Sequence, residues 1–286
     1  MIKIVLSLLF ILPQLKAGEQ KRIPQDIKLT TDDGWELNAK WLPPCSDKPV
    51  ILFLHSQKNN LTEWKKWFPR AEKYCFGYMA VDLRGHGLSL KAPDGSTSTF
   101  KSFSVNGLDN EYNKMIRDAD TALVAISSFG FTLDKIIPVG SWLGANLVVK
   151  LAAINKEIPM SVAIYPSMNI NDVLIVNPIR AYGKRPILLI SSSKYEKKYK
   201  EFQLLNDIAK FSCGRENVFS LVEENADGPS DFSNKSIDSV LGWTENPKIP
   251  QVVDYDPSLI KSTDSVSVSI STGAANAEDL GDKENE

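Results

Sequence analysis

The chain has 286 residues, 43% of them hydrophobic and 24% charged, with Gly 16 and Pro 16. Those proportions exclude disordered, collagen-like and coiled-coil proteins and supply ample apolar material for one good core. Lys+Arg 33 against Asp+Glu 35 give a formal net charge of −2, without the basic excess of a nucleic-acid binder.

Met1-Ile2-Lys3 opens with a positive charge, and Ile4 to Leu12 form a nearly unbroken apolar run. Pro13, Gln14 and Lys16 break that run before the small pair Ala17-Gly18. This is the layout of a secretory signal peptide over residues 1–17, too short to span a bilayer comfortably as a mature anchor, although Leu15 stands where a small residue is preferred. A buried first helix or strand is the competing reading. Cleavage would remove Lys3 and Lys16 and no acids, leaving about −4. The expected product is exported, periplasmic or secreted, and no later run of eighteen apolar residues points to a membrane span.

Asp26 to Trp41 predicts a β-hairpin, with Asp32-Asp33-Gly34 turning between two alternating runs. Val50-Ile51-Leu52-Phe53-Leu54 is a continuous apolar run, the pattern of a strand buried on both faces. Glu63 to Tyr74 has helical spacing, with Trp64, Trp67, Phe68 and Ala71 on one core-facing stripe. Tyr78 to Asp82 is a second short buried strand. Asp109 to Phe129 predicts a long helix ending at Gly130, on which Asp118 and Asp120 are expected to face solvent. A strand at Ile136 to Val139, a helix at Leu143 to Asn155, and strands at Met160 to Tyr165, Ile187 to Ser191 and Val218 to Val222 follow. Helices are expected at Tyr199 to Phe211 and Ser236 to Trp243. The alternation implies parallel βαβ units: a mostly parallel sheet of about eight strands, helices on both faces, and an antiparallel N-terminal hairpin at one edge. The segment of about twenty residues between Tyr165 and Ile187 leaves room for little more than a small cap.

Residues 18–245 form the expected domain. Residues 246–286 read as an acidic, disordered tail with a short strand at Val266 to Ile270. The three cysteines, Cys45, Cys75 and Cys213, have no metal-ligand spacing. Cys75, between Tyr74 and Phe76, reads as a small core residue, and Cys45 with Cys213 is a pairing that export would allow. No metal, cofactor or nucleic-acid partner is expected; the partner is a small molecule or a protein of unidentified kind.

Three motifs converge on one family. The run Val50 to Leu54 followed by His55, the run Val81-Asp82-Leu83-Arg84-Gly85-His86-Gly87-Leu88-Ser89, and Gly140-Ser141-Trp142-Leu143-Gly144-Ala145-Asn146 between a strand and a helix together resemble the α/β-hydrolase superfamily of serine esterases and peptidases, over roughly residues 26–243. The resemblance implies an oxyanion hole near a His-Gly pair after the third strand, and a nucleophile presented on a strained strand–turn–helix elbow.

On that match the catalytic positions are degenerate. Both elbow glycines stand, Gly140 and Gly144, but the nucleophile position is Trp142, which has no atom able to attack an acyl carbon. The acid's place falls at Lys194 or Tyr195, with Glu196 as a displaced alternative. The histidine's place is Asp227, and no histidine follows His86. His55-Ser56 replaces His-Gly, leaving His55, Ser56 and the backbone N–H of Leu143 as candidate oxyanion or pocket groups. The expected function is therefore a binding or scaffold protein that has lost hydrolase activity. The alternative is an active ester or peptide hydrolase using Ser141 or Ser89 with His86 as a relocated base, against which stands a bracing role for His86 in its loop.

Overall fold

The computed structural model describes residues 22–107, 109–223 and 226–247. The expected signal peptide and the tail from residue 248 onward, with its strand at Val266 to Ile270, lie outside the described residues.

Among the described residues ten strands form: β1 (Gln25–Thr30), β2 (Glu36–Leu42), β3 (Val50–Leu54), β4 (Gly77–Val81), β5 (Ile136–Ser141), β6 (Ser161–Ile164), β7 (Asn169–Ile170), β8 (Val173–Leu174), β9 (Ile187–Ser192) and β10 (Val218–Glu223). Eight of them make one sheet in the order β1-β2-β4-β3-β5-β6-β9-β10, parallel from β4 to β10, with β1 and β2 antiparallel at the edge. This is the expected mostly parallel sheet. The apolar run of β3 serves both faces: Val50, Leu52 and Leu54 enter one core, while Ile51 and Phe53 enter the other. Such a strand shows no alternation in its sequence because neither face meets water.

The first core lies under α2 (Glu111–Ser128), α3 (Leu143–Ile154), α4 (Val176–Ala181) and α5 (Glu196–Cys213). The second lies under α1 (Phe68–Lys73) and α6 (Asn234–Glu245). The helix expected over Glu63 to Tyr74 is broken into a 3-10 turn, Leu61–Trp64, and the six-residue α1. Pro69 is at the start of α1, where its missing N–H costs least, and Trp64 and Trp67 are fully buried, as their stripe predicts. The segment between Tyr165 and Ile187 holds the β7–β8 hairpin and α4, a small cap that the sequence does not resolve into elements.

Two expectations are corrected. Asp118 does not face solvent: it is fully buried and both carboxylate oxygens engage Arg84, whose side chain is also fully buried. Asp120, two residues on, is exposed. Nor does Cys45 pair with Cys213. Because β2 pairs antiparallel with β4, with Leu42 opposite Tyr78, the chain leaving β2 meets the chain entering β4. There Cys45 forms a disulfide with Cys75 at a Cα–Cα distance of 5.0 Å, and the Cys45 N–H donates to the Cys75 carbonyl at 2.9 Å. Cys213 ends α5 as a buried free thiol. For a sequence separation of 30, the chain-entropy account gives the bridge about 3–4 kcal/mol of stability. Urea unfolding of the Cys45→Ser/Cys75→Ser variant should register a loss of that size; an unchanged midpoint would refute it.

Candidate functional site

At the C-terminal end of β5 the chain turns sharply into α3, and Trp142 occupies the turn with φ 50° and ψ −111°. Left-handed torsions cost a bulky residue of order 1–3 kcal/mol, so the surroundings must impose them. They do so through the flanking glycines. A Cβ on Gly140 would overlap the Gly144 carbonyl, and one on Gly144 would overlap the Leu54 carbonyl. Strand, turn and helix are packed too closely for any other residue at either place.

The Trp142 indole lies in the cleft that the elbow overlooks. Its ring centroid is 5.5 Å from Tyr165, its Nε1–H donates to the Asp227 carbonyl at 3.4 Å, and the Lys198 ammonium stands 5.8 Å from the ring centre. The cleft, which Ser191, Tyr195 and Ala226 also line, has a volume of about 20 Å³, room for about one water molecule.

The loops after β9 and β10 meet beside the indole. The Lys194 ammonium donates to the Asp227 carboxylate at 2.6 Å and holds that carboxyl below its ordinary pKa. Tyr195 is about half exposed at the cleft rim. Trp142, Tyr195 and Asp227 thus line one cleft, with Lys194 bonded to the last of them. Glu196 points away: it starts α5 with an 81% exposed side chain and pairs with Lys200 at 2.6 Å.

Beneath the elbow is a carboxylate that the sequence did not mark out. Glu63 is 6% exposed and accepts from the Ser56 N–H at 2.8 Å and the Ser141 hydroxyl at 2.9 Å. Burial raises its pKa against those hydrogen bonds. Ser141 is therefore fully buried and committed to an acid, not to a histidine. The Ser56 N–H, which the resemblance places near an oxyanion hole, is likewise committed to Glu63. The Leu143 N–H, at the first turn of α3, donates no hydrogen bond among the described residues.

Neither histidine reaches a serine hydroxyl among the described residues. His55 is fully buried; its Nδ1 faces the Ser56 carbonyl at 2.7 Å and its Nε2 accepts the Leu83 N–H at 3.0 Å. Burial lowers its pKa to about 3, so the ring is neutral. His86 Nδ1 lies 2.9 Å from the Arg84 carbonyl and Nε2 lies 2.8 Å from the Gln57 carbonyl. Ser89 donates to the Asp82 carbonyl at 2.6 Å and accepts the Asn38 N–H at 2.8 Å. The general-base geometry needs about 2.6–3.2 Å between nucleophile and base, and the described residues contain no such serine–histidine contact. Nor do they hold three or more His, Cys, Asp or Glu side chains grouped to bind a metal ion.

No protein-family model matches this chain, and no curated protein matches it in sequence. Solved structures do match. An esterase from Pyrococcus furiosus aligns over 80% of this chain and 92% of its own with 17% identity and a TM-score of 0.61. A putative dienelactone hydrolase from Klebsiella pneumoniae aligns over 78% and 96%, with 14% identity and a TM-score of 0.57. The acylaminoacyl peptidase of Pyrococcus horikoshii aligns over 82% of this chain and 43% of its own, with 15% identity and a TM-score of 0.60. With the sheet order and the elbow, these likenesses define the architecture: the chain has the α/β-hydrolase fold.

Proposed function

We propose that this protein is an exported member of the hydrolase fold that has given up ester and peptide hydrolysis and acts as a binding or scaffold protein. The observation that carries this reading is Trp142, an indole held at the strained turn where the fold presents a nucleophile. The Lys194–Asp227 ion pair supports it, because a carboxylate held by an ammonium is a poor substitute for an imidazole base. So does the cleft, where the indole leaves an enclosed volume of only about 20 Å³ beside the elbow. The Cys45–Cys75 disulfide suits an oxidising compartment and so supports export.

The second reading, an active ester or peptide hydrolase, draws on the activities named for the structural neighbours. It would need Ser141 or Ser89 to work with His86, and both hydroxyls are bonded elsewhere while both ring nitrogens face backbone carbonyls. Incubating the purified protein with a fluorophosphonate probe and a panel of short-chain esters separates the two. No serine is expected to be labelled and no ester turned over; stoichiometric labelling of Ser141 or Ser89 would establish the second reading instead.

A further inference from the structure

His86 carries a hydrogen-bonding pattern that a neutral imidazole cannot complete. A neutral ring has one N–H and one lone pair, whereas a carbonyl oxygen only accepts. Both ring nitrogens of His86 face carbonyl oxygens, Arg84 at 2.9 Å and Gln57 at 2.8 Å. In either neutral tautomer a lone pair points at a carbonyl. Only the imidazolium donates to both. His55 supplies the internal contrast: it has one carbonyl and one N–H partner, the set a neutral ring satisfies.

The environment opposes that charge. His86 is 1% exposed and lies flat on Phe100, with ring centroids 4.4 Å apart and an interplanar angle of 6°; the neutral ring of His55 is 5.0 Å away. Asp82, at the end of β4, is the carboxylate that favours the cation, but it already accepts from Leu61 and Leu88 N–H. The nearby Arg84 guanidinium is neutralised by Asp33, Glu111 and Asp118. Burial wins and holds the His86 pKa below the ordinary histidine value. Hydrogen bonding thus asks for a proton that desolvation withholds.

We infer that His86 is a proton-operated clasp between the loop after β3 and the loop after β4, closed by one hydrogen bond when the ring is neutral and by two when it is protonated. The gain and loss of one proton on the ring balance the step. Gln57 follows Ser56, so the loop tightened in acid is the one whose Ser56 N–H is tied to Glu63 beneath the elbow.

The test is simple because the chain has only two histidines. In the full-length protein, two imidazole signals are followed by NMR from pH ~8 to ~4, and His86→Gln assigns them. One signal should stay constant as neutral His55. The other should titrate below ~6.5, ending with both ring nitrogens protonated, and the backbone amide signals of residues 56–60 should move with it. Glu63 touches the same loop, so the amide shifts must persist in Glu63→Gln and vanish in His86→Gln. Should His86→Gln fold poorly, Phe100→Leu keeps the imidazole and should displace its titration. A His86 ring that holds one tautomer throughout, or amides that follow Glu63 alone, would overturn the clasp.

Discussion

Arg84→Met is expected to lower the free energy of unfolding by about 3–5 kcal/mol, the range for removing one partner of a buried ion pair. The Arg84 side chain is wholly buried, lies over the Trp35 ring with its Cζ 5.5 Å from the centroid, and bridges Asp33, Glu111 and Asp118. Removing it leaves the Asp118 carboxyl buried without its counter-charge. Burial already raises the Asp118 carboxyl to about 6 against the pull of Arg84, and the variant should raise it further. The sign follows from linkage. A carboxyl whose folded pKa exceeds its unfolded value favours folding when protonated, and loses that advantage as pH rises through the folded pKa. The penalty should therefore be largest near neutral pH and shrink on acidification toward pH ~5. Urea unfolding of wild type, Arg84→Met and Arg84→Met/Asp118→Leu measures this, the double variant recovering part of the loss. A single-variant deficit under ~1 kcal/mol, or a penalty that grows in acid, would count against the buried pair.

Trp142→Ser alone is expected to give no measurable esterase activity, although it removes the indole and places a hydroxyl on the elbow. On the resemblance to the α/β-hydrolases, the imidazole's position is Asp227 and the acid's loop carries Lys194, and the two are ion-paired. The ion pair between those loops reverses the charge order of a working acid–histidine couple while keeping the loops within bonding reach. Trp142→Ser/Lys194→Asp/Asp227→His would therefore place hydroxyl, base and acid at the positions the resemblance assigns them. A positioned general base contributes about 10²–10⁴-fold, and the triple variant should exceed Trp142→Ser in ester hydrolysis by at least about the lower figure, with stoichiometric fluorophosphonate labelling. Turnover by the single variant would mean that a base already serves the elbow, and an inert triple variant would mean that the loops do not hold the three groups in a working frame.

Features written into local pattern were legible before the fold was known. The five-residue apolar run of β3 and the Asp-Gly turn between β1 and β2 declare themselves because period and turn chemistry are local. The α/β-hydrolase fold followed from motifs tied to such elements. The features that escaped depend on what lies opposite. Asp118 is a polar residue on an amphipathic helix, and its buried partner is 34 positions away. The Cys45–Cys75 pairing follows from the neighbouring of β2 and β4, a fact of strand order rather than of cysteine spacing. Glu63 begins an aromatic stripe and looks like its solvent edge, yet it is seated under the elbow. The two-residue strands β7 and β8 are too short to show a period.

The elbow constrains substitution unequally along its length. Gly140 and Gly144 are fixed by carbonyl groups that leave no space for one more carbon, whereas the Trp142 side chain midway between them lines a cleft with Tyr165 and Asp227. A sequence drifting under selection for folding alone would keep the two glycines and let the middle residue wander, even to the bulkiest amino acid. A glycine pair of this spacing thus reports the shape of the turn, and the chemistry is to be judged from the residue it frames.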